Sequence, residues 1–115
     1  LISVKVQSTY KPKSPKLKKV ISDYMEIGST IALSQAKALA PVDTGALKGD
    51  LKKETKKNRF RVYTDLVYAK IQEWGGKAGR GRKTTIRGKH YLRDALRVLK
   101  KQTPRLLDML FRRHF

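Results

Sequence analysis

Between Pro15 and Ala40 the chain repeats apolar residues at intervals of three and four. Leu17, Val20, Ile21, Tyr24, Ile27, Gly28, Ile31 and Ala38 share one face, which Met25, Ala32 and Leu39 widen. Lys19, Asp23, Glu26, Thr30 and Lys37 fall on the other side. That period predicts a long amphipathic helix, and its apolar stripe has to be covered by other elements. Ser14 stands at the N-cap position with Pro15 at the first helical position. Pro41 disfavours a helical conformation at Ala40, so the helix ends there.

The remaining segments supply the cover. In residues 2–8, Ile2, Val4 and Val6 alternate with polar neighbours, the period of a half-buried strand. Residues 59–66 place Phe60, Val62 and Thr64 on one side, with Arg61, Tyr63 and Asp65 on the other. This second strand pairs with the polar stretch 51–57 as a hairpin turning near Lys57-Asn58. Val67, Tyr68, Ile71 and Trp74 have helical spacing, stopped by Gly75 and Gly76. Residues 75–89 form a Gly-rich basic loop with a brief strand at Thr84–Ile86.

From His90 onward a second helix buries Tyr91, Leu92, Ala95, Leu96, Leu99, Leu106, Leu107, Leu110 and Phe111. Pro104 predicts a kink or a break in it. The expected fold is α+β: a long N-terminal helix and a C-terminal helix packed on a small, mainly antiparallel sheet. A chain of 115 residues accommodates this as a single domain, 1–115.

Charge bounds the partners. The chain holds 28 basic and 9 acidic residues, a net charge of +19. Such a domain repels its own copies and attracts polyanions: nucleic acid first, then an anionic surface or an acidic protein. It contains no cysteine, which excludes disulfides and thiolate metal sites. No apolar run approaches the roughly 18 to 20 residues that span a bilayer, so no membrane partner is expected. Lys77, Arg80, Arg82, Lys83, Arg87 and Lys89 form a cationic stretch without an acid, the candidate contact for DNA or a partner.

The chemical motifs weigh toward structure. Asp43-Thr44-Gly45 matches the acid-protease triplet, but it follows a helix and a proline instead of a hydrophobic strand. Asp43 and Thr44 can accept backbone N–H groups and Gly45 permits a positive φ, so Pro41, Asp43, Thr44 and Gly45 read as a structural turn. The loop at Gly81-Arg82-Lys83-Thr84 misplaces the lysine of a P-loop and lacks the preceding strand. Arg80-Gly81-Arg82 lacks the proline of a minor-groove hook. His90 and His114 have no evident ligand set, so no metal is expected. Glu73 has no catalytic companion and reads as a capping or ion-pair residue. Trp74, Tyr68 and Tyr91 read as core. No catalytic residue and no cofactor is expected.

Three boxes nevertheless stand in a telling order. "AKALAPVDTGALKGDL" resembles the Ala-Lys-x-x-x-Pro-Val-Asp-Thr-Gly-x-Leu core of the tail-component family of tailed bacteriophages, whose members are also called neck or tail-completion proteins. "YAKIQEWGG" is similar to that family's Tyr-Ala-x-x-x-Glu-x-Gly box, carried by Tyr68, Glu73 and Gly75. "HYLRDAL" is similar to its His-aromatic-Leu-x-x-Ala box, carried by His90, Leu92 and Ala95. Tyr91 and Arg93-Asp94 depart from the family, which often has Phe and a Pro before the Ala.

The resemblance implies a non-enzymatic virion protein at the head–tail junction or tail, made in the host cytoplasm. It implies a homo-oligomeric ring, often a hexamer, that completes the tail or joins it to the head. Neighbours would be a tail terminator or head-completion protein, with non-specific contact to genomic DNA. The alternative expectation is a stand-alone basic nucleic-acid-binding protein.

Overall fold

Strand β3 (Arg59–Thr64) is the centre of the sheet. In the computed structural model it pairs antiparallel with β1 (Ile2–Gln7) on one side and with β2 (Lys52–Thr55) on the other. The structure describes residues 2–40, 49–65, 73–78, 84–87 and 90–115. The β2–β3 hairpin closes through the Lys56 N–H, which donates to the Arg59 carbonyl at 2.7 Å. Lys57-Asn58 therefore forms the expected turn.

The register divides the sheet into two chemically distinct faces. Phe60, Val62 and Thr64 of β3 are all buried, and Val6, Val4 and Ile2 of β1 stand opposite them on the same face. Arg59, Arg61 and Tyr63 point the other way, opposite Gln7, Lys5 and Ser3. A period of two makes this separation automatic once one face is buried.

Two helices cover the inner face. Helix α1 runs Pro15–Leu39 and helix α2 runs Tyr91–His114. They are antiparallel: Val20 packs with Leu106 and Leu110, while Ala32 and Ala36 join the cluster of Leu92 and Ala95. The Tyr24 hydroxyl meets Thr103 Oγ1 at 3.0 Å, and His114 Nε2 meets Asp23 Oδ2 at 2.7 Å. Gly28 lies where α1 passes close to both β3 and α2. A Cβ there would lie 3.4 Å from the Phe60 ring and 3.7 Å from the Leu99 methyls. The α+β architecture is the one the sequence predicts.

β2 meets α1 through polar groups. Thr55 Oγ1 donates to Ser29 Oγ at 2.9 Å, and Ser29 Oγ donates to the Glu26 carbonyl at 2.8 Å. Lys53 Nζ reaches Thr30 Oγ1 at 2.9 Å and Glu26 Oε1 at 3.4 Å. Ser29 is fully buried, and these bonds satisfy it.

Several expectations are corrected. α2 is continuous through Pro104, so the break is absent. Pro104 is on the exposed side, where its ring meets solvent. Phe111 is 41% exposed and Leu39 42% exposed, and Ala38 is exposed too, whereas Ala36 is buried. The stripe thus drifts toward the side of Ala36 at the end of α1. Ser14 occupies the N-cap position, but its side chain makes no capping bond.

The Gly-rich segment also holds more order than a loop with one brief strand. β4 (Gly75–Ala78) pairs antiparallel with β5 (Thr84–Arg87) as a separate two-stranded sheet. The whole chain is elongated, with a radius of gyration of 16.6 Å. A compact domain of this length would have roughly 13 Å.

Candidate partner-contact site

The base of the β4–β5 hairpin is held by one buried acid. The first backbone N–H groups of a helix lack intrahelical acceptors, and α2 needs partners for them. His90, at its N-cap, has a left-handed backbone (φ 51°, ψ 39°) and no capping side-chain bond. Glu73 supplies the cap from outside the helix. Its Oε2 accepts the Leu92 N–H at 2.8 Å and its Oε1 accepts the Arg93 N–H at 3.1 Å. Its carbonyl accepts the His90 N–H at 3.0 Å.

Glu73 is 2% exposed, so these bonds stand in for lost hydration. Its negative charge also faces the positive end of the helix dipole. Gly75 adopts φ 81° at the start of β4. Glu73 and His90 thus clamp both ends of the hairpin.

Trp74 sits at that base and is 61% exposed, which corrects its expected place in the core. Its ring stands edge-on to His90, with centroids 5.8 Å apart. The neighbouring Glu73 takes the interior position. Tyr91, by contrast, is fully buried.

No family model, no curated protein and no solved structure matches the chain.

Two of the six predicted cations lie in the described strands of this hairpin. Lys77 lies in β4 and Arg87 in β5, with Lys77 opposite Thr85 and Gly75 opposite Arg87. Arg80, Arg82, Lys83 and Lys89 lie outside the described residues, as do Tyr68 and the turn residues Pro41, Asp43, Thr44 and Gly45. Of the family-box residues, Leu92 and Ala95 are buried in the main core, Glu73 and His90 form the clamp, and Gly75 opens β4 beside it.

A carboxylate that the sequence reading passed over fastens the chain where it returns to the sheet. Ala40 and Leu51, on either side of residues 41–48, are both buried in the main core. Asp50 Oδ2 accepts the Thr64 hydroxyl at 2.6 Å and the Asp65 N–H at 3.0 Å. The Thr64 bond foremost, then the Asp65 bond, holds the Asp50 carboxyl below its ordinary range. An acid just before the buried Leu51 was the available signal.

Among the described residues, no three His, Cys, Asp or Glu side chains gather as metal ligands. No described helix is long and apolar enough to cross a membrane.

Proposed function

We propose that this protein is a structural virion component of a tailed bacteriophage. In this reading it forms a homo-oligomeric ring, a hexamer as the resemblance implies, that completes the tail or joins it to the head around the DNA channel. It works by assembly and not by turnover. Its partners are neighbouring neck and tail proteins, such as a tail terminator or head-completion protein. It is made in the host cytoplasm and resides in the virion.

The observation that carries this reading is the Glu73 clamp. Two of the three boxes behind the resemblance lie 17 residues apart in sequence, counted from Glu73 to His90. Three hydrogen bonds join Glu73 to His90, Leu92 and Arg93, which supports reading Glu73, His90 and Leu92 of those boxes as one unit. That unit presents a basic two-stranded arm. An isolated pair of strands is marginal in water, and contact with a neighbouring ring or DNA would complete it. The exposed Trp74 beside it is the residue type that most often anchors a protein interface. Head-to-tail contacts of such an arm with the next copy generate a closed ring when the rotation closes.

Imaging the purified oligomer tests the proposal. The expected result is a ring with an axial channel that admits duplex DNA. Replacing Arg80, Arg82 and Lys83 together with Gln should impair ring stacking or DNA retention in assembled particles. Normal particles that hold their DNA would remove the arm from the interface. A monomer that binds DNA tightly, with steep salt dependence and no ring, would replace this reading with the stand-alone nucleic-acid-binding one.

A further inference from the structure

The outer face of the three-stranded sheet carries a second concentration of positive charge, remote in sequence from the hairpin arm. Lys5 of β1 stands directly opposite Arg61 of β3, and Glu54 of β2 stands opposite Arg61 on the other side. Like charges facing each other across an antiparallel pair destabilise it. Arg61 relieves part of this by turning to Glu54, with Nη2 2.9 Å from Oε2, and its guanidinium lies 4.4 Å from the Tyr63 ring centre.

Lys5, Lys56 and Arg59 have no carboxylate partner among the described residues. Together with Arg61 and Glu54, these three cations line a surface recess of about 190 Å³. The Arg61 Nε–H is buried without an acceptor. Glu54 registers the resulting field: the Arg61 bond first, then the charges of Arg61, Lys56 and Arg59, hold its carboxyl below the ordinary range.

We propose that this recess is a contact site for the phosphate backbone of nucleic acid, bound without sequence preference. Four cations against one carboxylate leave an excess that only an anion neutralises. The excess spans Lys5 of β1, Arg59 and Arg61 of β3, and Lys56 just beyond β2, with neighbouring strands about 4.8 Å apart, a spread suited to an extended polyanion. A second copy of this chain is a poor occupant. Of its eight described acids, all but Asp65 are already ion-paired or hydrogen-bonded within the chain. The inference does not rest on the virion reading, because it uses neither the hairpin arm nor the resemblance.

The test compares two variants of equal charge loss. One is Lys5→Gln, Lys56→Gln and Arg59→Gln; the other is Lys37→Gln, Lys100→Gln and Lys101→Gln, at exposed positions on the helices. All six positions are exposed, and circular dichroism verifies that both variants keep the fold. Binding of a labelled DNA duplex is followed by anisotropy across a sodium chloride series. Each lost phosphate contact lowers the slope of log K against log salt by about 0.9. The sheet variant should therefore lose about 2.7 of that slope, and the helix variant far less.

Equal slopes in the two variants overturn the proposal, since net charge alone would then explain binding. So does a sheet variant that binds like the parent chain. Inorganic phosphate, substituted for chloride at constant ionic strength, should displace no more duplex than chloride does. Displacement from the parent chain but not from the sheet variant would make the recess a free-phosphate site and overturn the nucleic-acid assignment.

Discussion

Glu73 caps the helix that begins with Tyr91 by accepting the Leu92 N–H at 2.8 Å, from a position 2% exposed to solvent. A Glu73→Ala variant would leave the buried Leu92 N–H and the partly buried Arg93 N–H without their acceptors. Each unsatisfied buried donor costs about 1–3 kcal/mol. Urea unfolding should show a loss of at least that size, and Glu73→Gln, which keeps one acceptor oxygen, should lose less. Parent-like stability of the Ala variant would mean that water replaces the carboxylate.

Asp50 should give the fold a measurable acid sensitivity. Its folded pKa is lowered from the ordinary 3.8, so the bonds to Thr64 and Asp65 favour folding above that value. This contribution fades as pH falls through the lowered folded value. Asp50→Asn should be less stable than the parent at neutral pH, and the gap should narrow below pH 3.8. A gap that stays constant on acidification would show that the carboxylate charge is not what fastens the corner.

Gly28 is the site for a stabilising substitution. A methyl group there would reach the Phe60 ring at 3.4 Å and Leu99 at 3.7 Å, near contact distance. Ala also loses less entropy than Gly in a helix, a difference of about 0.5–1 kcal/mol. Thermal melts of Gly28→Ala should therefore rise. Gly28→Leu should fall by about 1–3 kcal/mol through overpacking. A drop for the Ala variant would show that Phe60 cannot give way.

Pro104 offers a second gain. It has no N–H for the i−4 carbonyl of Lys100, yet α2 continues through it. Pro104→Ala restores that bond at an exposed site, and the propensity difference is about 3 kcal/mol. Chemical denaturation should show a gain of up to that amount. No gain would indicate that the helix ladder around Thr103, whose hydroxyl already bonds the Leu99 carbonyl, has adapted to the proline.

Periodicity reveals those elements whose burial is apolar. Phe60, Val62 and Thr64 alternate visibly, and the α1 stripe repeats visibly, because each faces a hydrophobic neighbour. β2 is harder to read. Its inward residues Lys53 and Thr55 pack against Ser29, Thr30 and Glu26, so its inner face carries no apolar signal. Pro104 and Trp74 mislead for a related reason: their local preference was overridden by where the fold places them. The Glu73 clamp joins groups far apart in sequence, and spacing alone does not encode such a bond. The outer-face recess depends on register, since Lys5 meets Arg61 only once β1 and β3 are aligned.

The antiparallel pairing of α1 with α2 governs when a nascent chain can finish folding. The sheet can zip as soon as residue 64 leaves the ribosome, because β1, β2 and β3 are then all present. The greasy side of α1 waits much longer, since Leu99, Leu106 and Leu110 arrive last. Contacts so distant along the chain close slowly, and the half-made product is sticky. Its abundant lysines and arginines keep such intermediates apart, so the same surplus that courts polyanions also guards the chain during its own synthesis.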